Sequence, residues 1–162
     1  MDDMEYRVLR LERSRQVVSG GHAYGALIDR GPYDADELVG GWASDATFDT
    51  GDGVFHGREG VHRFFSDLAA RYTIHYSSNT IVEFDEALES ASLRAYGLEM
   101  PVIAGQALIG AFGHVGCTRW TGQRWEAAER QQTMHFLSPV ETGWDDEHRI
   151  TEQRTSKREQ AK

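Results

Sequence analysis

The spacing of apolar residues along the chain alternates between a helical and a strand-like period. Val17, Gly21, Tyr24 and Ile28 fall at i, i+4, i+7 and i+11, a single stripe on a helix. The first thirty residues therefore predict one long helix. Gly31-Pro32 closes it, because proline cannot continue a helix and glycine tolerates the C-cap geometry. A short helix follows from about Tyr33 to Gly40, where Asp34 and Glu37 have the spacing of a capping box. Ala46 to Thr50 reads as a strand, Gly51-Asp52-Gly53 as a hairpin turn and Val54 to His56 as the returning strand. From Arg58 to Tyr72 the helical period resumes, with Val61, Phe64, Phe65, Leu68 and Ala69 on one side.

Beyond Thr73 the pattern is that of strands: Thr73 to Phe84, Glu89 to Gly97, Ala107 to Trp120 and Trp125 to Leu137, the last two joined by a turn at Thr121-Gly122-Gln123-Arg124. Helices first and a long meander after predict an α+β fold, a curved antiparallel sheet with helices on one face. Bent around its helices, such a sheet makes a cone with an internal pocket. The domain is expected to occupy residues 1–144. Residues 145–162 are charged, with Ile150 the exception, and read as a solvated tail.

Composition narrows the possibilities. A chain of 162 residues suits one domain. Lys plus Arg number 17 against 26 Asp plus Glu, a net charge of -9 that argues against nucleic acid or an anionic membrane as partner. Apolar residues at 40% are enough to build a core. Cys117 is the only cysteine, which excludes an intrachain disulfide and a cysteine-cluster zinc site. The histidines lack metal-ligand spacing, and no phosphate loop or dinucleotide fingerprint occurs, so neither metal nor nucleotide cofactor is expected. The charged N-terminal segment has no secretory apolar region, and no apolar run is long enough to span a membrane. A cytoplasmic protein is the expectation.

A few residues stand out against this background. His75 shares a strand face with Ser77 and Asn79, which suits either solvent or the polar end of a pocket. Asp29 lies at the end of the first helix, where the macrodipole disfavours an acid; it is either solvated beside Arg30 or held there for a purpose. His22 lies seven residues earlier on nearly the same helix face, whereas Tyr24 is rotated well away from Asp29. In the last strand Glu126, Ala128, Arg130, Gln132, Met134 and Phe136 alternate onto one face. An arginine in that company is either paired with a buried acid or aimed at an anionic substrate atom.

The element order, together with Leu27-Ile28-Asp29, Thr73-Ile74-His75-Tyr76-Ser77-Ser78-Asn79 and Trp125-Glu126-Ala127-Ala128-Glu129-Arg130, resembles the SnoaL-like and scytalone-dehydratase-like branch of the nuclear-transport-factor-2-like fold. Within that branch the likeness is greatest to the hexachlorocyclohexane dehydrochlorinases, then to the bile-acid 7α-dehydratases, which share Tyr24, Asp29 and His75. The resemblance implies a cofactor-free lyase acting on an apolar cyclic molecule, and a homotrimer. It implies His75 as general base, Asp29 as its orienting acid, Arg130 as stabiliser of the departing group or of an enolate oxygen, and Tyr24 as a proton donor. His22, Trp42, Phe48, Phe112, Met134 and Phe136 are the expected substrate-binding walls. A cyclase or isomerase using the same base, and a non-catalytic ligand-binding domain, are the alternatives. For the trimer the expected contact is the convex face, with Ile74, Tyr76, Thr80 and Val82 in one strand and Trp125, Ala127, Thr133 and His135 in another.

Overall fold

The computed structural model describes residues 2–29, 34–68 and 73–141. Helices α1 (Asp3–Ile28) and α2 (Ala35–Val39) precede β1 (Trp42–Asp49), β2 (Val54–His56) and α3 (Gly57–Ser66). The chain continues through β3 (His75–Phe84), β4 (Ser90–Glu99), β5 (Val102–Ile103), β6 (Gln106–Trp120) and β7 (Trp125–Pro139). A capping box opens α1: the Asp2 carboxylate accepts the Glu5 backbone N–H and the Glu5 carboxylate accepts that of Asp2. Asp34 caps α2 by accepting the Glu37 N–H at 3.1 Å. The third helix stops at Ser66, earlier than its apolar stripe suggests. Gly31-Pro32, Ala69 and the segment 145–162 lie outside the described residues.

The strands form one curved sheet in the order β2-β1-β7-β6-β4-β3, with β5 paired to β6. It is mixed rather than wholly antiparallel, because β1 runs parallel to β7, placing Phe48 opposite Arg130. That partner explains why β1 begins at Trp42, four residues before the turn-bounded pattern indicates. Ala127 donates its N–H to the Gly41 carbonyl and extends the pairing.

Bulges set the inner and outer faces. In β3 the register shifts between Ser78 and Ile81, where Asn79 takes a left-handed φ of 54°. Asparagine tolerates that region better than most residues. Inner-face alternation therefore passes from Ser77 to Thr80, so Thr80 lines the cavity instead of the convex face, and Asn79 leaves the face of His75. Pairing of β6 with β7 also shifts, between Cys117 and Thr118 and between Ala111 and Phe112. Trp125 and Ala127 consequently line the interior, Arg130, Gln132 and Met134 keep their inward aspect, and Leu137 takes the lining place expected of Phe136.

The densest core lies where α2 and α3 meet β1. Leu38, Trp42, Ala46, Phe48, Val61 and Phe65 are almost fully buried there. The Phe48 ring lies 5.1 Å from Trp42 and 5.0 Å from Phe64. Each of the Leu, Val and Phe side chains contributes about 1.5–3 kcal/mol by leaving water. Helix α1 crosses the open side of the sheet and is held at separate points. The Arg13 guanidinium sits 3.6 Å above Trp120, and Gln16 accepts the Trp125 indole N–H at 3.2 Å. At its other end, Asp29 binds His75.

Candidate active site

A cavity of about 920 Å³ lies between α1 and the concave face of the sheet. Asp29 is the C-cap of α1, its N–H bonded to the Gly25 carbonyl at 3.0 Å. Its carboxylate holds the first residue of β3 twice: Oδ2 accepts the His75 backbone N–H at 3.0 Å, and Oδ1 lies 2.6 Å from Nδ1. That double contact fixes both the ring's position and its tautomer, with the proton on Nδ1 when the imidazole is neutral. A positive charge on His75 also offsets the unfavourable position of an acid at a helix C-terminus.

Nε2 faces the other way, and Glu99 Oε2 stands 3.5 Å from it. Glu99 is the cross-strand partner of His75 and its side chain is only 13% exposed. The sequence pattern ends this strand at Gly97, two residues short of Glu99, and so leaves the acid out of the site. Its signal was present in the alternation Leu93, Ala95, Gly97, Glu99, an acid on an otherwise apolar face. Burial opposes a charge on His75, but hydrogen bonds and charges from Glu99 and Asp29 outweigh it and hold the imidazole above its ordinary value of 6.5. Phe112 meets the imidazole edge to face at 6.0 Å. Gly97 makes room for that ring, since a Cβ there would overlap it.

Tyr24 reaches the same cavity from α1. It packs against Trp42 at 6.3 Å and Phe65 at 6.1 Å, and the Arg130 guanidinium lies 5.2 Å from its ring centre. Burial pushes its phenol up to about 12, against the opposing pull of the Arg130 charge and the Trp42 side chain. The hydroxyl is therefore a proton donor at physiological pH, never a base. Among the described residues no carboxylate pairs with Arg130, whose Nε is buried without a hydrogen-bond partner. His22, Trp42, Phe48, Phe112 and Met134 all line the cavity, His22 from an exposed position; Phe136 does not, being buried outside it. Among the described residues no cluster of His, Cys, Asp or Glu side chains is placed to hold a metal ion, and no helix is long and apolar enough to cross a membrane.

A helix-covered, bent sheet with an interior pocket defines an α+β cone of the nuclear-transport-factor-2-like kind. The chain belongs to the SnoaL-like domain family, whose sequence profile matches residues 9–131. Similar solved structures include a candidate scytalone dehydratase from Novosphingobium aromaticivorans, 14% identical, with 85% of this chain and 91% of that one covered at a TM-score of 0.72. A hexachlorocyclohexane dehydrochlorinase (LinA, type 2) is 19% identical over 86% of this chain and 93% of its own, with a TM-score of 0.68. An NTF2-like protein with a cystatin-like fold, also from Novosphingobium aromaticivorans, is 21% identical over 83% and 91%, with a TM-score of 0.69. At these identities the likeness is one of fold. Among curated proteins none matches the sequence.

Proposed function

We propose that the protein is a cofactor-free lyase that removes a proton from a ring-bearing small molecule with His75 and expels a leaving group from the neighbouring carbon. The observation that carries this reading is the 2.6 Å contact between His75 Nδ1 and Asp29 Oδ1 beside a cavity large enough for a ring system. His75 Nε2 takes the proton from carbon, and the C–H electron pair forms the new double bond. Asp29 and Glu99 stabilise the imidazolium that results. The Tyr24 phenol, kept protonated by burial, supplies a proton to a departing hydroxyl. Arg130 stabilises the departing group or an enolate oxygen. That acid favours elimination of water over isomerisation, which needs no leaving-group proton. A candidate dehydratase and a dehydrochlorinase among the proteins of like fold support the reading.

The test is a panel of cyclic β-hydroxy ketones and β-halo analogues, followed by the absorbance of the conjugated double bond. His75→Ala and Asp29→Asn are each expected to lower kcat by roughly 10²- to 10⁴-fold, with circular dichroism unchanged. Full activity in both variants would remove the mechanism.

A further inference from the structure

Beside Arg130 the cavity holds a second imidazole, His114, to which the proton transfer gives no part. His114 on β6 and Arg130 on β7 both line the interior. Gln132 is the cross-strand partner of His114, and Gly116 that of Arg130, so the two side chains are diagonal neighbours on adjoining strands. The His114 ring stacks on Phe112 at 6.1 Å and 21°, and Phe112 in turn meets His75 at 6.0 Å. His75, Phe112 and His114 thus form a run of rings lining the cavity, with successive centres 6.0 and 6.1 Å apart.

Burial, with the Arg130 charge beside it, pushes His114 down to about 4. At physiological pH the imidazole is neutral and presents one N–H donor and one acceptor. Both His114 Nδ1 and Arg130 Nε are buried without hydrogen-bond partners. The Arg130 charge is met on the cavity side by the faces of Tyr24 and Phe48, at 5.2 and 5.9 Å, which do not satisfy its N–H groups. Glu126, the acid of this strand that lines the cavity with little exposure, is already engaged by Arg58 and Arg124. A cation and a neutral donor left unmet in an apolar cavity match an oxygen that carries, or gains, negative charge.

We propose that His114 and Arg130 form an oxyanion site, and that the substrate is a ring-bearing carbonyl compound, or its enol, whose oxygen docks there while its acidic carbon faces His75. The assignment rests on the lyase reading and names its substrate class. When His75 takes the proton, the C–H pair moves through the conjugated ring, the carbonyl π bond breaks, and the charge arrives on the oxygen held by Arg130 and His114. A pure hydrocarbon or halocarbon leaves both groups unmet.

Binding of 2-naphthol and of naphthalene, titrated by fluorescence and absorbance at neutral pH, tests this without turnover. The protein is expected to prefer 2-naphthol by roughly tenfold or more, and the bound ligand to show the naphtholate band. Arg130→Met and His114→Phe are each expected to erase the preference and the band while leaving naphthalene binding in place. His75→Ala is expected to retain both, so a failed dehydration assay with an intact naphthol preference indicts the lyase chemistry alone. Equal binding of the two ligands, no binding of 2-naphthol, or a preference that survives in both variants overturns the oxyanion site.

Discussion

His75 stands between carboxylates of unequal grip, Asp29 at 2.6 Å and Glu99 at 3.5 Å. Its raised pKa has opposite consequences for catalysis and for stability. The fold gains from these contacts while the imidazole is charged, fully so below the unfolded value of about 6.5, and the gain fades as pH rises through the raised folded value. The base becomes competent over that same interval, as the proton leaves. We expect the acidic limb of kcat/KM to lie above about 6.5, and Glu99→Gln to move it down. Thermal melts across the same window should show Tm falling with pH in the parent protein and less steeply in Glu99→Gln. A limb unmoved by that substitution would deny Glu99 a part in tuning the base. The local patterns of Asp29, His75 and Arg130 leave solvent or an ordinary ion pair open; it is the family resemblance that joins them, and the structure brings Asp29 and His75 into contact. Glu99 and His114 were not legible in the sequence, since an acid near a strand end and a histidine among glycines acquire meaning only from the strands beside them.

At the scale of elements, bulges decide which side chains reach the cavity. A strand read with unbroken alternation puts Phe136 inside and Thr80 outside; one added residue in each ladder reverses both. Helix and strand periods are local, and so the α1, α2, β1–β2 and α3 order was visible in advance. Bulge positions and the parallel pairing of β1 with β7 depend on distant chain, and no local period announces them. Close approach within a pair of strands is just as specific. Gly97 on β4 lies under the Phe112 ring of β6, where a methyl group would overlap. Gly97→Ala is expected to destabilise the fold by about 1–3 kcal/mol, the usual cost of overpacking, and to shift Phe112 away from His75. Denaturant unfolding measures the first effect and the His75 titration by NMR the second. An unchanged midpoint and titration would mean that Phe112 has another place to go.

For the whole molecule, the outer face of the sheet is the open matter. Tyr76, Ile81, Tyr96, Leu98 and Val115 are each at least 39% exposed on β3, β4 and β6. Neighbouring strands place them together, with Tyr76 opposite Leu98 and Arg94 opposite both Ile81 and Val115. Large apolar and aromatic side chains grouped in this way suit a subunit contact better than solvent. We propose that this face joins the chains of the homotrimer that the family resemblance implies. Light scattering should give about three times the 18.2 kDa chain mass, and Tyr76→Glu with Leu98→Glu should reduce it to one; a monomeric parent protein would refute the assembly and leave the dyad untouched. The parallel seam between β1 and β7 bears on how the molecule comes into being. Asp49 and Gln131, joined across it, are 82 residues apart in the chain. Contacts of such sequence separation form late and slow folding. A nascent chain on the ribosome must carry the apolar side of β1, Trp42 and Phe48 included, without its final neighbour until nearly the whole described sequence has been made. Fragments that stop at Trp120 lack the strand that closes the cone, so the smallest independently folding unit extends through β7.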